Sequence, residues 1–104
     1  MTDKTVLADK AFKYKVRCLN IHRKLFRDLQ DHELSPEIKS DCNVMEKAVR
    51  EENYPLALEY SRKTCYLLKV ANQLSLIPDD VFESLDADGK ELTEIIEEYT
   101  KEEV

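Results

Sequence analysis

Leu7, Ala11, Tyr14, Cys18, Ile21 and Leu25 recur at alternating steps of four and three. That spacing places all six on one face of an α-helix, and Leu19 and Phe26 widen the stripe. Lys10, Lys13, Arg17 and Lys24 fall off it. The pattern predicts a first helix from about Asp3 to about Leu29, followed by the polar connection "DLQDHELSPE". Ser35-Pro36-Glu37 reads as a second helix start. Ser caps free amides, Pro suits the first turn, and Glu favours the positive end of the dipole. Ile38, Cys42, Met45 and Val49 continue as its stripe.

Asn53 is the expected cap of a third helix, with Pro55 in its first turn. There Ala57, Tyr60, Thr64, Leu67, Ala71 and Leu74 keep the helical spacing, broadened by Leu56, Leu68, Val70 and Ile77. Pro78 ends this helix or begins the next. Asp79, Asp80 and Glu83 then gather where a fourth helix would start and negative charge is stabilising. Val81, Leu85, Leu92, Ile95 and Tyr99 form the last stripe. Gly89 is the chain's one glycine. It stands in "ESLDADGKEL", between Leu85 and Leu92, and predicts a kink or short break from Asp86 to Gly89.

Four amphipathic helices on short links cannot bury their faces separately. The expected fold is all-α, an antiparallel up-down-up-down four-helix bundle occupying residues 1–104 as one domain. Charged residues make up 37% of the chain, which also favours long helices over a sheet. No run of 18 apolar residues occurs, so no membrane span is expected. The start "MTDKTVLADKAF" carries no secretory pattern. Three cysteines, an odd number, read as free thiols, and a cytoplasmic setting is expected.

Charge is unevenly placed. Residues 1–27 carry +6, residues 28–78 carry −3 and residues 79–104 carry −9, for a net −6. In the bundle the first and last helices are neighbours, so their charges can neutralise within the chain or pair between copies. The basic candidate face is Lys10, Lys13, Arg17, Arg23, Lys24 and Arg27, with Lys15 beside it. It would contact phosphates, with Tyr14 and His22 near for stacking, or dock an acidic protein surface, or stay merely solvated. The acidic candidate face is Asp86, Asp88, Glu91, Glu94 and Glu98. Net acidity weighs against simple binding along nucleic acid.

Candidate chemistry is sparse. With Gly89 at position six of a calcium loop, position twelve falls on Ile95 and the bidentate carboxylate is missing. Cys18 and His22 share a helical face, with Cys42 and Cys65 on other helices, and the four would suit zinc. No Cys-x-x-Cys occurs, so plain core packing is favoured. Neither His22 nor His32 follows a Glu at the di-iron spacing, and no phosphate loop or nucleophile motif occurs. No catalytic residue, cofactor or metal site is assigned.

"YPLALEYSRKTCYLLKVANQLSLIPDDVFESL", Tyr54 to Leu85, resembles the second half of small bacterial four-helix-bundle proteins. These are the proteins encoded in 23S ribosomal RNA intervening sequences and the accessory variability proteins of retroelements. The matching features are Ala57 and Ser61, the run Leu67 to Ile77, Pro78, and the turn Asp79 to Phe82. "LSPEIKSD" is also similar. The resemblance implies a non-enzymatic bundle that assembles into a ring and, in the retroelement branch, supports a reverse transcriptase through protein and RNA. This chain departs from that branch in being acidic, and "AVREEN" stands where an Ala-Glu-Gly signature is common. The expected function is therefore a self-associating assembly or adaptor protein, with the basic first helix of one copy facing the acidic fourth helix of another. The rival is a small acidic inhibitor whose Asp79–Glu103 face mimics nucleic acid.

Overall fold

The structure, a computed structural model, describes residues 2–102. It contains α1 (Lys4–Arg27), α2 (Leu34–Arg50), α3 (Tyr54–Gln73) and α4 (Asp79–Glu102). Each helix packs against its two neighbours in the ring of four, and neither diagonal pair approaches. The α1–α4 seam is the loosest of the four. This is the expected up-down-up-down bundle, 42 Å long and about half as wide.

The helix starts follow from local hydrogen bonding. Asp3 caps α1 by accepting from the Thr5 amide at 2.6 Å. At α2 the cap is Asp31 and not Ser35. Its carboxylate accepts from the amides of Glu33, Leu34 and Ser35, while the Ser35 hydroxyl donates back to the Asp31 carbonyl. A carboxylate with two oxygens satisfies three free amides that one hydroxyl cannot. Asn53 caps α3 as expected, with Pro55 in the first turn. Pro78 immediately precedes α4, its carbonyl accepting from Phe82. The Asn72 amide ties the end of α3 to the Ile77 carbonyl and the Asp79 carboxylate.

Helices α2 and α3 end alike. The amide of Asn53 returns to the Ala48 carbonyl, and that of Leu76 to the Ala71 carbonyl. Glu52 and Ser75 occupy the left-handed position of these turns, with φ of 57° and 62°. Glycine usually fills that position because a Cβ there is strained. We expect Ser75→Gly to stabilise the bundle by roughly 0.5–1 kcal/mol, read as a raised urea midpoint at unchanged slope. An unchanged or lowered midpoint would show that the Ser75 turn carries no strain.

The core follows the stripes with two corrections. Leu7, Ala11, Tyr14, Cys18 and Leu25 of α1 are buried, as are Ile38, Cys42, Met45 and Val49 of α2. On α3, Leu74 is 60% exposed, because it caps the helix beyond the core, and Ser61 and Leu68 complete the buried face instead. On α4 the expected kink is absent: the helix runs unbroken from Asp79 to Glu102. Gly89 does not interrupt the stripe but belongs to it, in the series Leu85, Gly89, Leu92, Ile96, Tyr99.

The reason lies across the seam. A Cβ on Gly89 would stand 2.7 Å from both the Tyr14 hydroxyl and Cys65 Sγ. Those two atoms are 3.6 Å apart and fill the space a side chain would take. Glycine costs the helix roughly 1 kcal/mol relative to alanine, and the packing of a buried tyrosine offsets it. Gly89→Ala is therefore expected to destabilise by about 1–2 kcal/mol despite its better helix propensity. Combining it with Tyr14→Phe, which removes the clashing hydroxyl, should recover part of the loss in a double-mutant cycle. Additive effects would rule out this contact as the cause.

Candidate interaction surfaces

Three of the six basic candidates on α1 pair within the chain, two of them across to α4. Lys10 pairs with Glu91, and Arg17 with Asp88 and the Ser84 hydroxyl, bridging α1 to α4. Lys13 pairs along its own helix with Asp9. Arg23, Lys24 and Arg27 have no ion-pair partner among the described residues. Of the acidic candidates, Asp88 and Glu91 are thus neutralised, and Asp86 pairs with Lys90 on its own helix. Glu94 and Glu98 stay exposed and unpaired among the described residues. Helical spacing puts these charges on one face, but only the fold decides which of them meet. The cleft between Lys10, Lys13, Tyr14, Asp88 and Glu91 measures about 150 Å³, small for an organic ligand.

Tyr14, expected beside the basic face for stacking, is 2% exposed and belongs to the core. Its burial and the neighbouring thiols push its hydroxyl far above the ordinary range, so it stays protonated. Burial likewise raises the Cys65 thiol. Contact with Cys42, together with burial, raises the Cys18 thiol well above its usual value. Cys42 donates to the Lys39 carbonyl, and His22 Nδ1 donates to the Ser35 carbonyl at 2.9 Å. Among the described residues, no three or more His, Cys, Asp or Glu side chains gather as a metal site. Of the four residues weighed for zinc, Cys18 and Cys42 touch each other, Cys65 meets Tyr14 and His22 turns to the Ser35 carbonyl. No described helix is long and apolar enough to cross a membrane.

One buried charge escaped the sequence reading. Glu46 of α2 is 3% exposed. It accepts from Lys15 of α1 at 2.8 Å and from Arg50 one turn along α2. Burial pushes its carboxyl up, but the two cations outweigh that and hold it below the ordinary value of 4.5. Its position beside the apolar stripe gave no warning, because the partner lies 31 residues away. Removing the carboxylate leaves half-buried Lys15 unpaired, so Glu46→Gln should destabilise by about 1–3 kcal/mol at neutral pH. A depressed carboxyl stabilises the fold above its ordinary value and loses that contribution as pH falls through its folded one. The difference between wild type and variant, measured by urea melts, should therefore shrink as pH drops below 4.5. A difference that does not vary with pH would show that Glu46 contributes only packing.

Among the described residues, exposed large hydrophobic side chains fall on two of the four helices and at their ends. The large hydrophobic side chains that stay exposed on helices are Val6, Phe12, Val16 and Phe26 on α1, and Leu56 and Tyr66 on α3. Leu29 follows α1 and Leu74 caps α3, while α2 and α4 expose none among the described residues. Leu19 and Phe26 line α1 where it meets α2, a second stripe that the sequence pattern merges with the core. Leu19 is only partly buried and Phe26 is 41% exposed.

A groove between α1 and α2 is lined by Leu19, His22, Arg23, Phe26, Arg27 and Lys39, with no carboxylate. Its continuation along α2 adds Pro36, Ser40 and Asn43. Phe26 sits between His22 and His32, with ring centroids 5.6 and 4.7 Å away. On the other flank of α2, a groove against α3 is lined by Glu37, Asp41, Arg62, Lys63, Tyr66 and Leu67. There Lys63 pairs with Glu59, and Arg62 with Glu97 of α4. Glu37 and Asp41 have no ion-pair partner among the described residues. Burial raises the Asp41 carboxyl, and the Lys63 charge offsets part of that.

No family model and no curated protein matches the chain. Among solved structures, it superimposes on a protein of unknown function from the S23 ribosomal protein family of Bacteroides thetaiotaomicron. The TM-score is 0.91 at 20% identity, over 96% of this chain and 99% of that one. At that identity the likeness shows a shared fold, that of a small helical protein, over nearly the whole length of both chains.

Proposed function

We propose that this chain is a non-enzymatic assembly protein: a four-helix bundle that self-associates and serves as an adaptor for a protein partner in the cytoplasm. The observation that carries this reading is the confinement of exposed large hydrophobics to α1, α3 and their ends among the described residues. An apolar patch left open beside charged residues is a feature of association surfaces. Support of a nucleic-acid-handling complex, such as one built around a reverse transcriptase, is the role that the resemblance to retroelement accessory proteins suggests. Unpaired Arg23, Lys24 and Arg27 would serve it.

The charge seam first envisaged between copies, basic α1 against acidic α4, is weakened by the pairs Lys10–Glu91 and Arg17–Asp88 inside one chain. The same pairs reduce the acidic face available to a nucleic-acid mimic. Apolar contact is thus the larger driving force here, with charge selecting the partner. Light scattering at two salt concentrations tests this. We expect a mass above the monomer that survives the higher salt, and a fall toward monomer in Phe12→Ser combined with Tyr66→Ser. A strict monomer at high protein concentration would overturn the reading.

A further inference from the structure

The two grooves beside α2 are complementary to each other. We infer that a second copy of this chain is the occupant of both, with the α2–α3 groove of one copy seated against the α1–α2 groove of the next. This rests on the self-association reading and adds to it the faces that meet.

The α1–α2 groove offers exposed Phe26 and the cations Arg23, Arg27 and Lys39, and no carboxylate lines it. These three cations stand out in a chain of net charge −6, because none has an ion-pair partner among the described residues. The α2–α3 groove offers Tyr66, 66% exposed, with Glu37 and Asp41. Its own cations pair elsewhere, Lys63 with Glu59 and Arg62 with Glu97, and although the Lys63 charge acts on Asp41 in part, neither Glu37 nor Asp41 has an ion-pair partner among the described residues. Seating one groove on the other covers apolar surface with apolar surface. It also brings Arg23, Arg27 and Lys39 to Glu37 and Asp41, and gives the Tyr66 ring a cation to receive.

The alternatives fit less of the surface. A two-fold contact of like grooves would set cations on cations or carboxylates on carboxylates. A nucleic-acid strand would satisfy the basic groove and leave the α2–α3 groove and Tyr66 open. Because the two faces differ, the contact is head-to-tail, so each copy keeps one face of each kind free until the assembly closes on itself.

Charge reversal with exchange tests the pairing. Arg23→Glu with Lys39→Glu makes both grooves of a copy acidic; Glu37→Lys with Asp41→Lys makes both basic. All four positions lie on the surface or at its edge, so circular dichroism spectra should match wild type. Measured by sedimentation at matched concentration, each double variant alone should associate at least about tenfold more weakly, since like charges then face each other. An equimolar mixture of the two should reassemble, and so should the chain carrying all four reversals. The pairing is overturned if either double variant keeps the wild-type mass, or if association is lost and neither the mixture nor the fourfold variant restores it. If wild type itself is monomeric, the self-association reading falls with it. Retention of single-stranded RNA that Arg23→Glu with Lys39→Glu abolishes would then assign the basic groove to nucleic acid.

Discussion

The bundle closes where the Tyr14 hydroxyl meets the bare backbone of Gly89. Three sides of the ring, α1–α2, α2–α3 and α3–α4, join consecutive helices through short links. The fourth side joins the two ends of the chain and has no link to hold it. Tyr14 crosses that seam into the space left by a missing Cβ, with Cys65 beside it. The seam is then held by Lys10–Glu91, by Arg17–Asp88, and at one end by the Tyr99 hydroxyl donating to the Thr2 carbonyl. Exposed ion pairs contribute little individually. Their value here is register: they fix which turn of α4 stands against which turn of α1, and so keep Gly89 opposite Tyr14.

The charge asymmetry along the chain has its explanation in the same seam. A helix rich in cations and a helix rich in acids lie side by side and antiparallel. Their pairing spends the charge of the inner edges and leaves the remainder unequally spread. What remains of the basic set is Arg23, Lys24 and Arg27, and Arg23 and Arg27 line the α1–α2 groove with Lys39 of α2. What remains of the acidic set lies on the outer turns of α4, at Glu94 and Glu98, a surface without exposed large hydrophobics. The molecule therefore has a solvated acidic side at α4 and an apolar, charged side around α2. Any assembly this chain makes is more economical through α2 and its flanks, where water is displaced from apolar surface as well as from charge.

Glu46 works on that same α2 side from within. A carboxylate at 3% exposure needs its partners, and it has them in Lys15 of α1 and Arg50. The Lys15–Glu46 pair ties α1 to α2. Lys15 also stands over the Phe12 ring at 5.4 Å, so the buried charge and the exposed aromatic share one side chain. Buried pairs of this kind give specificity more readily than stability.

Much of this protein was legible in the sequence alone. The alternation of four and three fixes which side of each helix is apolar, because one turn takes 3.6 residues whatever the neighbours are. Hence the four helices, the all-α fold, and the buried stripes from Leu7 to Leu25 and from Ile38 to Val49 could be read off directly. The cap at Asn53 and the helix boundary at Pro78 are equally local. The tertiary structure decided everything that depends on a residue from another helix. Gly89 reads as a flaw along α4 and becomes a contact only against Tyr14, 75 positions earlier in the chain. By sequence, Lys10, Arg17, Asp88 and Glu91 could pair within the chain or between copies; the fold pairs them across the α1–α4 seam. Phe26 read as core and is left open, because a helix with two apolar faces can turn only one of them inward.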